Sequence, residues 1–284
     1  MELGKMDGKL VIVTGANSGM GFATTVELAK MGAKVIMACR SEERGKQALE
    51  QARAACGGAE IELMLCDLGH LASIRSFARA FKERYGRLDV LVNNAGVVSL
   101  KRATTKDGFE SMLGVNHLGH FLLTHELLDL LKAAPQGRIV NVSSGAHKAG
   151  RIHFNDPFLT KGYNVAKGYA QSKLANILFT RELAKRLAGT NVTVNSVHPG
   201  AVGTNIGVDR TTGFGKTVLR MVRPFFRTPL KGADTAIYLA SSEAGGASTG
   251  LYYIDRKPVQ VSKRGADPEL AAKFWTWSEQ QVAQ

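Results

Sequence analysis

Two tyrosine–lysine pairs stand close together in GYNVAKGYAQSK, residues 162–173. Tyr163 precedes Lys167 by four positions, and Tyr169 precedes Lys173 by four. On a helix that spacing puts both side chains on one face. An ammonium beside a phenol favours phenolate, and a phenol so tuned can give and take a proton at a reacting oxygen. The chemistry in prospect is acid–base work on a carbonyl or an alcohol, although either pair could equally be a plain pair on an amphipathic helix. Residues 169–188 run without Gly or Pro, so a firm helix is predicted around the second pair. Gly162 and Gly168 bracket the first pair and loosen its geometry.

The elements that must position such a pair follow from the apolar runs. Short apolar stretches lie at Leu10–Thr14, Lys34–Ala38, Ile61–Leu65, Leu88–Val92, Arg138–Val142, Val192–Val197 and Gly250–Asp255. Helical periodicity separates them at residues 19–31, 42–55 and 74–85, and again in the longer gaps. Continuously apolar strands alternating with helices predict a parallel sheet covered on both faces. Right-handed crossovers make this an α/β, doubly wound Rossmann-type fold with a mostly seven-stranded parallel sheet. No internal repeat or linker interrupts the pattern, so residues 1–284 read as a single domain.

Composition narrows the function. The chain is 44% hydrophobic and 21% charged, as soluble globular proteins are. Its net charge of +13 suits an anionic cofactor or a lysine-coated surface. No dense Lys/Arg run with interleaved aromatics marks a nucleic-acid partner, and none is expected. Cys39, Cys56 and Cys66 form no CxxC pair. With no apolar leader read at the N-terminus, they suggest a reducing, cytoplasmic setting. His117, His120 and His125 are spaced by three and five, which does not align them on one face, so no metal site is expected.

Cofactor chemistry is written at the strand ends. TGANSGMG follows the first strand and opens a helix, placing Gly15, Asn17, Ser18, Gly19, Met20 and Gly21 where free N–H groups can meet a pyrophosphate. The second strand ends in Cys39–Arg40 rather than in an acid. A carboxylate there would bind a ribose 2′-hydroxyl, whereas a guanidinium favours a 2′-phosphate, so NADP(H) is expected over NAD(H). Asp67, followed by Leu68, can accept from the adenine amine or cap the next helix. Asn94, Ala95 and Gly96 form a small polar turn that can floor the cofactor or knit neighbouring strands.

The motifs TGANSGMG, NNAG, GVNHLGHF, RIVNVSS, YAQSKLAN and HPG, in this order between residues 14 and 200, resemble the short-chain dehydrogenase/reductase family. YAQSKLANILFTRELAKRL and ACR are similar to its retinol dehydrogenase-like branch. The resemblance implies a catalytic group of Asn116, Ser144, Tyr169 and Lys173, and it chooses the second pair because SKLAN continues from it. Tyr169 would donate the proton, Ser144 orient the oxygen, Lys173 tune the phenol, and Asn116 hold a water that passes protons toward Lys173. Tyr163 and Lys167 are then structural, near the substrate entrance. Ser144 precedes Tyr169 by 25 residues, a long spacing shared with that branch.

Pro199 and Gly200 stiffen the turn after the sixth strand, with Val202 and Thr204 placed to meet the nicotinamide amide or a phosphate. Residues 206–231 carry six basic residues against one acid and read as a substrate lid at about 205–231, ahead of a lipid-touching patch or a solvated loop. The implied activity interconverts an apolar aldehyde or ketone and its alcohol. The alternatives are a protochlorophyllide-reductase-like enzyme and a non-catalytic NADP(H)-sensing protein. Membrane contact is not expected; the oligomeric state is left open, the helices after the fourth and fifth strands being the faces through which a homo-oligomer would form.

Overall fold

The structure, a computed structural model, describes residues 3–200 and 227–283. Strands β1 (Leu10–Thr14), β2 (Lys34–Cys39), β3 (Ile61–Leu65), β4 (Val90–Asn93), β5 (Gly137–Val142), β6 (Val192–His198), β7 (Tyr252–Ile254) and β8 (Lys257–Pro258) join one sheet. Their order is β3-β2-β1-β4-β5-β6-β7-β8. Every pairing from β3 to β7 is parallel, which requires a crossover between successive strands. The crossovers are helical: α1 (Gly19–Lys30), α2 (Glu42–Cys56) and α3 (Leu71–Arg84) serve the first half.

After β4 the chain runs through α4 (Ser111–Leu113), a π-helical turn (Gly114–Leu118), α5 (Gly119–Glu126) and α6 (Leu128–Ala133). A short 3-10 helix (Gly145–Ala149) and the long α7 (Val165–Arg186) follow β5. Beyond the undescribed stretch come α8 (Pro229–Ser241), α9 (Glu243–Ala247), and, after β8, α10 (Lys263–Ala266) and α11 (Pro268–Val282).

Both faces of the sheet are buried, which is why its strands read as unbroken apolar runs. In β1, Leu10 and Ile12 join one core with Ile74, Phe77 and Phe81 of α3. Val11 and Val13 point the other way, onto Val26 and Leu28 of α1 and Ile237 and Leu239 of α8. The period of two along a strand enforces that division.

The eighth strand departs from the seven expected. It pairs antiparallel with β7 through a tight turn in which Asp255 and Arg256 both take positive φ, 49° and 61°. Such a turn matches the twist of a hairpin, but Asn-Gly is its usual sequence and here it reads Asp-Arg. A bidentate Arg227–Asp255 ion pair and an Arg256–Asp234 pair hold it instead.

β1 and β4 are neighbours, and from them the chain winds outward in opposite directions. A crevice therefore opens beyond their C-terminal ends, where doubly wound sheets bind ligands. The turn after Thr14 and the turn after Asn93 face each other across it.

Candidate active site

A cavity of 810 Å³ fills this crevice. Gly15, Asn17, Ser18, Gly19, Met20 and Gly21 line it from the first turn, Arg40 from the end of β2, Asp67 and Leu68 from the end of β3, and Asn94, Ala95 and Gly96 from the end of β4. Sequence reasoning named all twelve. At the α1 N-terminus the Ser18 side chain makes no capping bond, so the first N–H groups of the helix face the cavity uncapped. The two turns touch: a Cβ on Gly21 would fall 2.4 Å from the Gly15 carbonyl oxygen and 2.5 Å from Asn94 Nδ2. Any side chain at 21 would close the approach to the helix N-terminus.

Arg44 also lines the cavity and was missed from sequence. Its signal was present: Ser41 caps α2 by accepting from the Arg44 N–H, which sets Arg44 in the first turn of the helix that follows Arg40. Two guanidiniums thus flank the end of β2, and Asp67 is the one acid on the cavity wall among the described residues. Asp67 Oδ1 accepts from the Gly69 N–H at 3.0 Å, shaping the turn before α3 rather than capping that helix, whose cap position is His70.

Tyr169 and Lys173 sit inside α7, with Lys173 Nζ 5.5 Å from the Tyr169 ring centroid. Lys173 is 5% exposed and donates to the Val142 carbonyl at 3.2 Å. Burial pushes its pKa down to about 8. Burial raises that of the Tyr169 phenol, against which a hydrogen bond from the Ser144 side chain works. A Cβ on Gly96 would fall 3.5 Å from Asn116 Oδ1 and 3.9 Å from Lys173 Nζ. Gly96 is therefore the joint between the cavity and the Tyr–Lys group.

Ser144 ends the β5 loop, and its hydroxyl accepts from the Ala146 N–H at 3.2 Å. His147 Nδ1–H donates to the Ser144 carbonyl at 2.8 Å, while its Nε2 accepts from Ser262 N–H. The Gly145 N–H donates to His198 Nδ1 at 3.2 Å. Neither histidine was foreseen as a support for Ser144.

The other pair is differently placed. Asn164 caps α7, accepting from Ala166 and Lys167 N–H, so the helix begins at Val165 and Tyr163 lies outside it. Tyr163 and Lys167 do not share a helix face. The Tyr163 hydroxyl donates to the Ser99 carbonyl, on the rim of the cavity.

A family profile for short chain dehydrogenases matches residues 9–213. The chain belongs to the short-chain dehydrogenase family. Members are oxidoreductases that move hydride between a CH–OH carbon and a nicotinamide cofactor, and this chain is one of them. Retinol dehydrogenase 14 of Homo sapiens is 46% identical across 98% of this chain and 88% of its own length. Retinol dehydrogenase 11 of Homo sapiens is 43% identical across 95% and 85%. Among solved structures, an uncharacterised protein of Mycobacterium paratuberculosis superposes with a TM-score of 0.80 at 36% identity, covering 100% of this chain and 96% of that one. RhlG of Pseudomonas aeruginosa, solved as an NADP active-site complex, gives 0.70 at 27% identity over 89% and 96%.

In this short-chain dehydrogenase Asn116 lies in the π-helical turn, fully buried. Both ends of its side chain are engaged: Oδ1 accepts from Val97 N–H at 2.7 Å, and Nδ2 donates to the Val97 carbonyl at 3.0 Å and to Ser172 Oγ at 3.2 Å. Pro199 and Gly200 follow β6, where Gly200 lies under the Arg227 side chain. Val202, Thr204 and most of the expected lid lie outside the described residues. The three histidines diverge: His117 meets Ser278, His120 meets Thr14, and His125 packs against Trp275. No helix among the described residues is long and apolar enough to cross a membrane.

Proposed function

We propose that the chain is an NADP(H)-dependent carbonyl reductase and alcohol dehydrogenase for apolar substrates, with Tyr169 as its acid and base. The observation that carries this reading is one grouping: the Tyr169 phenol stands between the Ser144 side chain and Lys173 Nζ, beside Gly96, at the end of a cavity suited to a dinucleotide. The cofactor, when bound, supplies or takes the hydride. Ser144 orients the substrate oxygen, and Tyr169 gives it a proton as negative charge develops there. Because burial holds the phenol protonated, the resting group is loaded for reduction. Lys173, near a pKa of about 8, changes charge close to working pH and tunes the phenol in the reverse direction.

Arg40 and Arg44 support NADP(H) over NAD(H): two guanidiniums can share a 2′-phosphate, and among the described residues no carboxylate lines the cavity at that end to await a ribose hydroxyl. The names of the relatives favour retinoid-like aldehydes and alcohols as the substrate class. A single catalytic domain in a reducing, cytoplasmic setting completes the reading, which the three unpaired thiols fit.

A screen of aldehydes, ketones and alcohols followed by NADPH absorbance tests it, with Tyr169→Phe as the control. Turnover should fall by orders of magnitude in the variant while NADPH still binds. Turnover that survives in Tyr169→Phe would remove Tyr169 as the acid. Wild-type titrations showing equal affinity for NADPH and NADH, unmoved by Arg40→Asp, would remove the cofactor preference.

A further inference from the structure

His120 is buried in the middle of the molecule, 2% exposed, and its ring reaches two segments of the site. Nε2 lies 2.9 Å from Thr14 Oγ1, at the end of β1. Nδ1 lies 3.1 Å from the backbone carbonyl oxygen of Asn116. Which nitrogen carries the proton is fixed by its neighbours. Thr14 Oγ1 already accepts from Asn94 N–H at 2.9 Å and Ala95 N–H at 3.0 Å, which fills both of its lone pairs. It can therefore only donate, and of the two acceptors in reach, Nε2 at 2.9 Å and the Val92 carbonyl at 3.3 Å, the ring nitrogen is the nearer. The Asn116 carbonyl can only accept, so Nδ1 must carry the hydrogen. A doubly protonated ring would leave Nε2–H facing a hydroxyl with no lone pair to offer.

We propose that His120 is a positioning residue: its Nδ1–H holds the Asn116 carbonyl while its Nε2 is held by Thr14, joining the cofactor turn to the proton-transfer group in one directed chain. The chain runs from Asn94 and Ala95 N–H to Thr14 Oγ1, from that hydroxyl to Nε2, and from Nδ1–H to the Asn116 oxygen. At its far end Asn116 clamps Val97 on one side and Ser172 on the other, and Ser172 precedes Lys173. Asn116 lies in a π-helical turn, and its carbonyl meets the His120 ring nitrogen at 3.1 Å. Asn116 and Lys173 both border Gly96, so the residue that the imidazole holds stands beside the ammonium. Burial, with the Lys173 ammonium of α7, keeps His120 neutral, and His120 in turn lowers the pKa of His117 in the π turn.

The inference rests on the proposed function for its kinetic consequence, but not for its structural one. The structural test is the imidazole nitrogen spectrum of the full-length ¹⁵N-labelled protein with NADPH, assigned by loss of one signal in His120→Asn. A protonated Nδ1 and a bare Nε2 at pH 7 are expected, persisting toward the pKa of about 4 that burial imposes. A protonated Nε2 at pH 7 would overturn the proposal whatever the activity.

The kinetic test uses all-trans-retinal as the probe. His120→Asn keeps a donor at the Nδ1 position, whereas His120→Gln and His120→Phe do not. His120→Asn should keep kcat within about threefold, and the other two should lose about ten- to a hundredfold in kcat, the worth of a buried hydrogen bond. Their KM and NADPH affinity should hold, and the pH profile of kcat should move. If His120→Phe fails to fold, the contrast between Asn and Gln decides. Equal losses in Asn and Gln, or a pH profile that stays in place, would reduce His120 to packing and overturn the proposal. A wild type that does not turn over retinal counts against the proposed substrate class, and the nitrogen spectrum then decides the role of His120.

Discussion

The start of α7 and its middle carry the same tyrosine–lysine spacing, and the fold treats them in opposite ways. At the start, Tyr163 precedes the Asn164 cap and turns its hydroxyl to the Ser99 carbonyl, while Lys167 sits half-buried in the first turn. One and a half turns on, Lys173 is buried, Tyr169 faces Ser144, and nearly every neighbour is fixed by a hydrogen bond. Spacing sets a possibility of contact; desolvation and neighbours turn it into chemistry. The first pair is held by what borders the helix, the second by the sheet beneath it.

The largest test of that contrast is charge removal at the two lysines. Lys173→Met should cost about 10²- to 10⁴-fold in kcat/KM for carbonyl reduction, the usual range for a residue tuning a general acid. Lys167→Met should change it by less than about threefold, as surface substitutions do. Steady-state kinetics on both variants checks the difference, and equal losses would erase the distinction between the pairs.

Lys173 sharpens the comparison through pH. Its folded pKa of about 8 lies below the ordinary value of 10.5, so between those limits the unfolded chain binds more protons. Stability from this group is complete above 10.5 and is lost as the pH falls through 8. Wild type should therefore gain up to about 3 kcal/mol relative to Lys173→Met as the pH rises from 8 to 10.5. Denaturant melts of both proteins across that window measure it. A constant difference would place Lys173 in water, with Lys167.

How much of this was legible in sequence divides along the same line. The strands from β1 to β7 were readable because two buried faces force unbroken apolar runs. The twelve cavity residues were readable because strand ends in this topology must meet the ligand. β8 was hidden: two residues, one of them Pro258, carry no periodic signal. The start of α7 was hidden because the Asn164 cap outweighs the low propensity of Gly168, which sits in the helix where a side chain would strike Met112. His120, His147 and Gln171 were unreadable as supports, since their partners, backbone groups and the Thr14 hydroxyl, are brought near only by the fold. A buried polar residue declares no partner in a one-dimensional pattern.

Gln171 ties the stretch between the 3-10 helix and α7 to α7 itself and gives the third test. Its side chain is wholly buried, with Oε1 accepting from His153 N–H and Nε2 donating to the Pro157 carbonyl, both at 2.9 Å. Gln171→Ala leaves both backbone groups without a partner, at about 1–3 kcal/mol. The loss should be local, with faster amide exchange across residues 151–164 and little change in β1 or β4. Uniform acceleration across the sheet would show that residues 151–164 are part of the core.

Tyr163→Phe is the smallest and the most direct comparison, since it makes at the first pair the change that should abolish turnover at the second. The phenol donates one hydrogen bond to a half-exposed carbonyl. Water can replace it, so the cost should stay near 0.5–1 kcal/mol in stability. The proposed assignment gives proton transfer to Tyr169, so kcat of Tyr163→Phe should hold within about twofold. Ser99 lies on the cavity rim, so any effect belongs in KM. Kinetics of Tyr163→Phe beside Tyr169→Phe reads the result. A fall in kcat at 163, with a moved pH profile, would mean that the rim tyrosine reaches the reacting oxygen, and the entrance of the site would have to be redrawn around it.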